Sequence, residues 1–289
     1  MQQKNVHWFP GHMVKAMREI EARIKVIDVI IELLDARAPI SSRNAFLYQV
    51  SKNKKRLIIL TKDDLADPQM TKAWQNFFEK QGFAVLDLDI TRQNTRKIIE
   101  KKLLILGQDK KEKDARRGIK PQPIRIMIAG IPNVGKSTLI NQLAGRKAAS
   151  VENKPGHTRA QQWIKVGSDF ELLDTPGVLP ANYDEKQYAM NLALLGSIRS
   201  DILPQSEMGE NLLQYLKVQY PHSLKLYDIE DLTLLDDVHD ALKLIGTRRG
   251  YLKSGEIDLI RSEQQLLQDF KDGKLGRLSL EVPNENTTL

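Results

Sequence analysis

The run Gly130-Ile131-Pro132-Asn133-Val134-Gly135-Lys136-Ser137 has the residue types and spacing of a loop that wraps a phosphate chain. Glycines free backbone N–H groups to point inward, and the helix that follows presents its positive end to the anion. Lys136 would reach the β- and γ-phosphates. Asn133, Val134, Gly135 and Thr138 would line the same cradle, and the Ser137 hydroxyl would bind Mg2+. Such a match can arise by chance, but this one lies between a β-type run, Arg125–Ala129, and an amphipathic stretch, Ser137–Leu143. Asp174-Thr175-Pro176-Gly177 closes the later strand-like run Phe170–Leu173, 38 residues beyond Lys136. There Asp174 would hold a Mg2+-bound water and the Gly177 N–H would meet a γ-phosphate. Thr158, in the intervening Pro155-Gly156-His157-Thr158, could complete the metal shell; an ordinary turn threonine is the plainer alternative.

Thr61-Lys62-Asp63-Asp64 reads as a base-selecting loop. The Asp64 carboxylate can accept two hydrogen bonds, from the N1–H and the 2-amino group of guanine. Adenine offers no such pair of donors, and polar groups left unpaired reject the wrong base. The stem of Lys62 would lie along the base plane. Asn usually opens such a loop, and Thr61 keeps the capacity to donate and accept. Alone, these four residues would be a plain turn. Asp89 and Ile90, at the end of the next strand-like run, hold the usual place of a second base-contacting loop, with only a backbone contact to offer. The order is inverted, because the base reader precedes the phosphate loop and in ordinary GTPases it follows.

These loops need a scaffold that ends them at one place. Val26–Leu34, Arg56–Leu60, Ala84–Ile90, Arg125–Ala129 and Phe170–Leu173 are apolar runs of strand length. Thr71–Gln81 and Thr95–Leu106 repeat apolar residues at helical spacing between them. Strands alternating with helices predict an α/β domain over residues 1–185, with a mostly parallel sheet and helices on both faces. Residues 1–20 form an N-terminal arm in this reading. A charged stretch of about 107–123 joins the two halves and stops at Pro121-Gln122-Pro123; a tail touching phosphates is its sharper alternative. From 186 to 289 the pattern is helical, with Leu212, Leu213 and Leu216 on one face. Thr233 is placed to cap a helix carrying Leu234, Val238, Leu242 and Ile245, with Asp236 at the capping-box position, and another helix runs near Ile257–Phe270.

Composition sets the limits. In 289 residues, 41% are hydrophobic and 28% charged, as in a water-soluble globular chain. No apolar run approaches the roughly 18 residues of a membrane span. Met1-Gln2-Gln3-Lys4 leads into no apolar signal core. The absence of cysteine excludes disulfides and thiolate metal sites and agrees with a reducing cytoplasm. The net charge of +7 is uneven: the first 185 residues hold 32 basic against 21 acidic side chains, the remainder 12 against 16. A basic first part suits a polyanion such as nucleic acid, and equally a solvated surface.

The inverted motif order resembles that of the circularly permuted GTPases. His7-Trp8-Phe9-Pro10-Gly11-His12-Met13, Asp35-Ala36-Arg37-Ala38-Pro39-Ile40-Ser41-Ser42-Arg43-Asn44 and Lys274-Leu275-Gly276-Arg277-Leu278 further resemble the bacterial ribosome biogenesis GTPase A family over nearly the whole chain. That resemblance implies a cytoplasmic, monomeric factor for late assembly of the large (50S) ribosomal subunit. It would bind GTP or GDP with Mg2+, and ribosomal RNA through C-terminal helices. Thr61 in place of Asn and the pair Asp89-Ile90 depart from the common pattern.

Hydrolysis needs an oriented water and neutralised phosphate charge. Many Ras-like GTPases place Gln directly after Asp-x-x-Gly; here Val178 stands there and cannot hydrogen-bond a water. His12, beside Trp8 and Phe9 on the arm, is the candidate to supply the missing group, as the resemblance also implies; a structural histidine is the alternative. Asn133 makes K+ at the phosphate loop conceivable. By chain order the loop after Gly177 leads into the helical domain, so loss of a γ-phosphate could reorient that domain on RNA. Two rival classes remain open: another P-loop NTPase such as an ATPase or kinase, and a nucleotide-gated RNA scaffold with little hydrolysis.

Overall fold

Seven consecutive buried residues, Val29–Asp35, form the central strand β1 of a six-stranded sheet. The structure, a computed structural model, describes residues 11–90, 92, 94–145, 162–175, 186–198, 203–235, 237–284 and 287; of 11–16, 162, 234 and 235 it describes the backbone. The sheet adds β2 (Lys55–Thr61), β3 (Ala84–Asp87), β4 (Ile124–Gly130), β5 (Gln162–Val166) and β6 (Phe170–Asp174). Their order is β3-β2-β1-β4-β6-β5. Every pairing is parallel except that of β5, which meets β6 antiparallel at the edge. Five of the seven β1 residues are apolar because helices cover both faces of the sheet, and the other two, Glu32 and Asp35, are ion-paired.

Among the described residues, six helices belong with this sheet: α1 (Gly11–Arg23), α2 (Ala45–Val50), α3 (Pro68–Lys80), α4 (Thr95–Leu106), α5 (Gln108–Arg116) and α6 (Lys136–Ala144). Strand residues two apart share a face. Ile30 of β1 joins Met127, Ala129 and Leu173 under Ile20 of α1 and Ile24, just past its end. Leu34, on the same side, joins Ile58 and Leu60 under Trp74 and Phe78 of α3. Between them Glu32, also buried, is paired with Arg56 and lies 3.7 Å from Arg43. The other face is packed by α4 against β2 and by α6 against β4, β5 and β6.

The structure adds detail to some expectations and corrects others. The arm expected over residues 1–20 is helical from Gly11, because Ile20 and Ile24 have a sheet face to cover. The charged connector is itself a helix, α5, with no buried residue, supported by Lys110–Asp114 and Lys111–Asp169 ion pairs. β3 ends at Asp87 rather than Ile90, since its pairing with β2 stops at Leu60.

The chain divides into two compact units: residues up to Glu185 together with Ser279 onward, and Lys186–Leu278. The expected second domain of 186–289 therefore loses its last residues to the first unit. The cause is visible in hydrogen bonds from Ser279, Leu280 and Glu281 to residues between 37 and 74. The second unit contains α7 (Lys186–Leu194), α8 (Gln205–Gln219), α9 (Val238–Arg249) and α10 (Leu259–Lys271), with a two-stranded ribbon of β7 (Leu252–Lys253) and β8 (Glu256–Ile257). Asp237, not Thr233, caps α9, its carboxylate accepting from the N–H groups of His239 at 2.7 Å and Asp240 at 3.4 Å. Thr233 instead donates to Asp231, and Asp236 lies outside the described residues. The fully buried Asp269 organises this unit by accepting from Tyr227, Arg249, Gln265 and Lys274. Among the described residues no helix is long and apolar enough to cross a membrane.

Phe78 is fully buried against Trp74 and Phe83. Phe78→Ala is expected to cost about 3–5 kcal/mol of stability, read as a lowered urea midpoint with an unchanged slope.

Candidate nucleotide-binding site

Parallel register brings the predicted loops to one edge of the sheet. Asp35 is paired with Thr61, Leu33 with Gly130, and Ile128 with Asp174, so β1, β2, β4 and β6 end side by side. The phosphate-loop sequence leaves β4 and turns toward β2, two strand spacings of about 4.8 Å away. Gly130 permits that turn: a Cβ there would lie 2.8 Å from both the Leu33 carbonyl oxygen and Val134 Cγ1. The Thr61 hydroxyl then stands 3.0 Å from the Val134 carbonyl oxygen and 3.1 Å from that of Leu34. Its one proton serves one carbonyl at a time, and either bond fixes the start of the Thr61–Asp64 loop.

Ile90 meets the same loop from the third direction. A Cβ on Gly135 would fall 2.6 Å from Ile90 Cδ1, and Gly135 has a φ of +103°. Glycine is thus required there twice, by contact and by backbone conformation. Asn133, on the crown, is left-handed with a φ of 61°. Asp89 does not offer its carbonyl freely, because Arg92 N–H and the Thr95 hydroxyl donate to it. Asp63 is half-buried and Asp64 exposed. Burial pushes the Asp63 carboxyl up, the neighbouring charge of Asp64 adds to this, and Arg92 opposes it.

Lys62 reaches back rather than outward. Its ammonium is 3.0 Å from Asp35 Oδ2, and its backbone is left-handed with a φ of 56°. Asp35 is buried at the end of β1 and also accepts from the Arg37 backbone N–H at 3.1 Å, from Nε at 3.0 Å and from NH2 at 2.9 Å. Burial disfavours its charge, but Arg37 and Lys62 outweigh that penalty and hold the carboxyl well below the usual carboxylate range. Asp35 is a positioning residue that motif reading left unassigned. The signal was the strand-terminal Asp-Ala-Arg, and only pairing of β1 with β2 connects it to Lys62.

Lys136 is buried in the first turn of α6, where Nζ donates to the carbonyls of Gly130 at 3.0 Å and Ile131 at 2.8 Å. Burial pushes its pKa down to about 8, partly offset by the charge of Asp174. Burial pushes Asp174 up to about 6, with Lys136 opposing. Each charge thus opposes the burial penalty on the other. Asp174 Oδ1 is buried and has no hydrogen-bond donor among the described residues. That acceptor capacity, within reach of the Lys136 charge, fits the outer shell of a hard divalent cation. Thr175 anchors the strand end by donating to the Ile128 carbonyl at 2.6 Å.

Thr158, Gly177 and Val178 lie outside the described residues. The backbone of His12 is in α1, and its side chain is outside them. α1 has a direction: Ile20 lines a small cavity with Ala129, Gly130 and Thr175, whereas Ile27, beyond its end, leads into the start of β1. At 1.5 Å per residue the His12 backbone stands about 12 Å from Ile20 along the helix axis.

A family model described as a 50S ribosome-binding GTPase matches residues 125–211. The chain is 39% identical over 282 residues to ribosome biogenesis GTPase A of Bacillus cereus, covering 97% of this chain and 95% of that protein. It is 31% identical to ribosome biogenesis GTPase A of Thermotoga maritima, at 97% and 95% coverage. The crystal structure of GNP-bound YlqF from T. maritima superposes with a TM-score of 0.68 at 28% identity, over 93% of this chain and 98% of that one.

Asp35→Asn is expected to destabilise the fold by about 3 kcal/mol at pH 7, because two cations lose their buried counter-charge. The folded pKa of Asp35 is depressed, so its contribution is present above the unfolded value of about 3.9 and is lost as pH falls below it. Denaturation of both proteins across pH should show the gap narrowing in acid; a gap independent of pH would contradict the ionic account.

Proposed function

The chain belongs to the ribosome biogenesis GTPase A family of circularly permuted GTPases, and from that membership we propose that it hydrolyses GTP in late assembly of the large (50S) ribosomal subunit. In this reading it acts in the cytoplasm as a monomer and binds ribosomal RNA through its second unit. The observation that carries the nucleotide reading is the contact of Thr61 with Val134. It ties a base-selecting loop after β2 directly to a phosphate loop after β4, with β1 between the two strands. Asp64 accepts from the guanine N1–H and 2-amino group, and Lys62, its ammonium held by Asp35, lays its stem beside the ring. Ile90 supports the loop from below Gly135, and Asp63 and Asp89, whose charges act on each other, are assigned to the base side of the site.

The backbone of Asn133–Ser137 and the first turn of α6 offer N–H donors to the phosphates. The Lys136 ammonium, held on Gly130 and Ile131, is already aimed along the loop and needs little reorganisation to bridge β- and γ-oxygens. Ser137 and Thr158 would hold Mg2+ directly and Asp174 through water; the ion supplies neutralisation of developing phosphate charge. The Gly177 N–H serves the γ-phosphate. With Val178 unable to orient water, the free enzyme is slow, and His12 in the first turn of α1 supplies the group when the ribosomal particle fixes the arm. By chain order, the segment after Gly177 passes release of the γ-phosphate to the second unit, so nucleotide state governs association with the subunit.

GTP and GDP are expected to displace a labelled guanine nucleotide, with ATP more than about 100-fold weaker. Displacement by ATP at similar concentration would return the chain to the general P-loop NTPases. Phosphate release should rise on adding large subunits, and His12→Ala should remove about 100-fold of the stimulated rate. Unchanged stimulated turnover in a folded His12→Ala protein would sink the histidine's role. Depleted cells should accumulate an immature large particle on sucrose gradients.

A further inference from the structure

We propose that the C-terminal segment Ser279–Glu281 is a positioning element for guanine recognition, with Glu281 and Ser279 as its working residues. The proposal rests on the assignment of Thr61–Asp64 as the base reader. Residues 279–281 lie far along the chain from that loop, after a complete second unit, yet they join the first unit at the loop's back.

The base loop has two ends to hold. Its front is fixed by Thr61, through the Val134 carbonyl and through the Ala36 N–H that donates to Thr61 O at 2.9 Å. Its rear is Asp67, which caps α3 by accepting from Gln69 and Met70 N–H groups. The Asp67 N–H donates to the hydroxyl of the fully buried Ser279 at 3.2 Å. Leu280 N–H donates to the Arg37 carbonyl at 2.6 Å. Arg37 holds Asp35, and Asp35 holds Lys62. Glu281 closes the connection. Its carboxylate accepts from the Ile40 N–H at 2.7 Å, the Ser41 N–H at 2.9 Å and the Ser41 hydroxyl, while its carbonyl takes the Trp74 indole N–H of α3 at 3.2 Å.

The segment therefore bonds to the loop after β1 and to both the start and the body of α3, the two elements between which Lys62–Ala66 is suspended. A charged acceptor on two adjacent backbone N–H groups and a hydroxyl is stronger than a neutral one and fixes an angle as well as a distance. Without it, the β1 loop and α3 can separate slightly. Asp64 then loses its aim at the guanine edge while the phosphate loop, held by β4 and α6, keeps its grip. The expected signature is selective. Contacts to the base weaken, above all the bond to the 2-amino group, and contacts to the phosphates do not.

The test uses the full-length chain and compares Kd for GDP with Kd for inosine diphosphate, which lacks the 2-amino group. Glu281→Ala should raise the GDP Kd about tenfold and the inosine diphosphate Kd far less, so that discrimination between them shrinks. Ser279→Ala should act in the same direction by a few-fold, and Glu281→Asp, which keeps the charge, should restore part of the discrimination. Should Glu281→Ala fail to fold, Ser279→Ala carries the test. Asp64→Ala is the control. If Asp64→Ala abolishes discrimination while Glu281→Ala and Ser279→Ala leave the ratio within twofold of the parent, the proposal is overturned and the base reader survives. If Asp64→Ala leaves discrimination intact, the assignment of the base reader has failed instead. Equal weakening of both nucleotides in the Glu281 and Ser279 variants would mark the segment as merely structural and overturn the proposal.

Discussion

Because β1 pairs in parallel with β2 on one side and with β4 on the other, whatever follows residue 61 and whatever follows residue 130 must leave the sheet at the same edge. Parallel strands allow no other arrangement, since each one ends where its neighbours end. The base loop, the phosphate loop and the end of β6 are thereby gathered without regard to their order in the chain. This is why motif order can be inverted at no cost to the site: the sheet arranges strand ends, and connections can be cut and rejoined elsewhere. The inversion changes what the chain does outside the sheet, sending it from the strand with Asp174 into a second unit and then back to the first.

Charge is handled differently in three buried places, and the differences follow from partners. Glu32 has Arg56 and Arg43 beside it in the middle of a covered face, where the ion pairs bridge two apolar clusters. Asp35 is surrounded by donors and stays ionised far into acid. Lys136 and Asp174 are the exception. Burial weakens the charged form of both, and Asp174 retains an oxygen without a donor among the described residues. Asp35, ringed by donors, holds the frame, whereas the Asp174 oxygen stands where an anion and its metal would complete it. Asp269 in the second unit resembles Asp35, with four donors around it, including Lys274.

The chain reads locally wherever one residue type has one physical use. Gly130 and Gly135 are glycines because a Cβ would collide with Leu33 or Ile90, and their spacing to Lys136 and Ser137 names the loop before any fold is known. The apolar runs of β1, β2 and β4 and the helical spacing of α3 and α4 are equally local, as their bounds in the structure agree to within a few residues. Boundaries that depend on competition were less legible. Asp237 outcompetes Thr233 for the start of α9 because its carboxylate reaches two N–H groups, and α5 persists as a helix through its own ion pairs although it buries nothing.

By itself, then, the sequence determined the phosphate-loop pattern, the alternation of strands with helices and the family, since each depends on residue type and spacing over short distances. Tertiary structure alone decided that Lys62 is held by Asp35, that Thr61 touches Val134, that Ile90 packs under Gly135, and that Glu281 binds Ile40 and Ser41. Those contacts join residues from tens to more than two hundred positions apart. No local pattern encodes them, because a hydrogen bond depends on where two groups finish in space, and that is fixed only when the sheet has set its register.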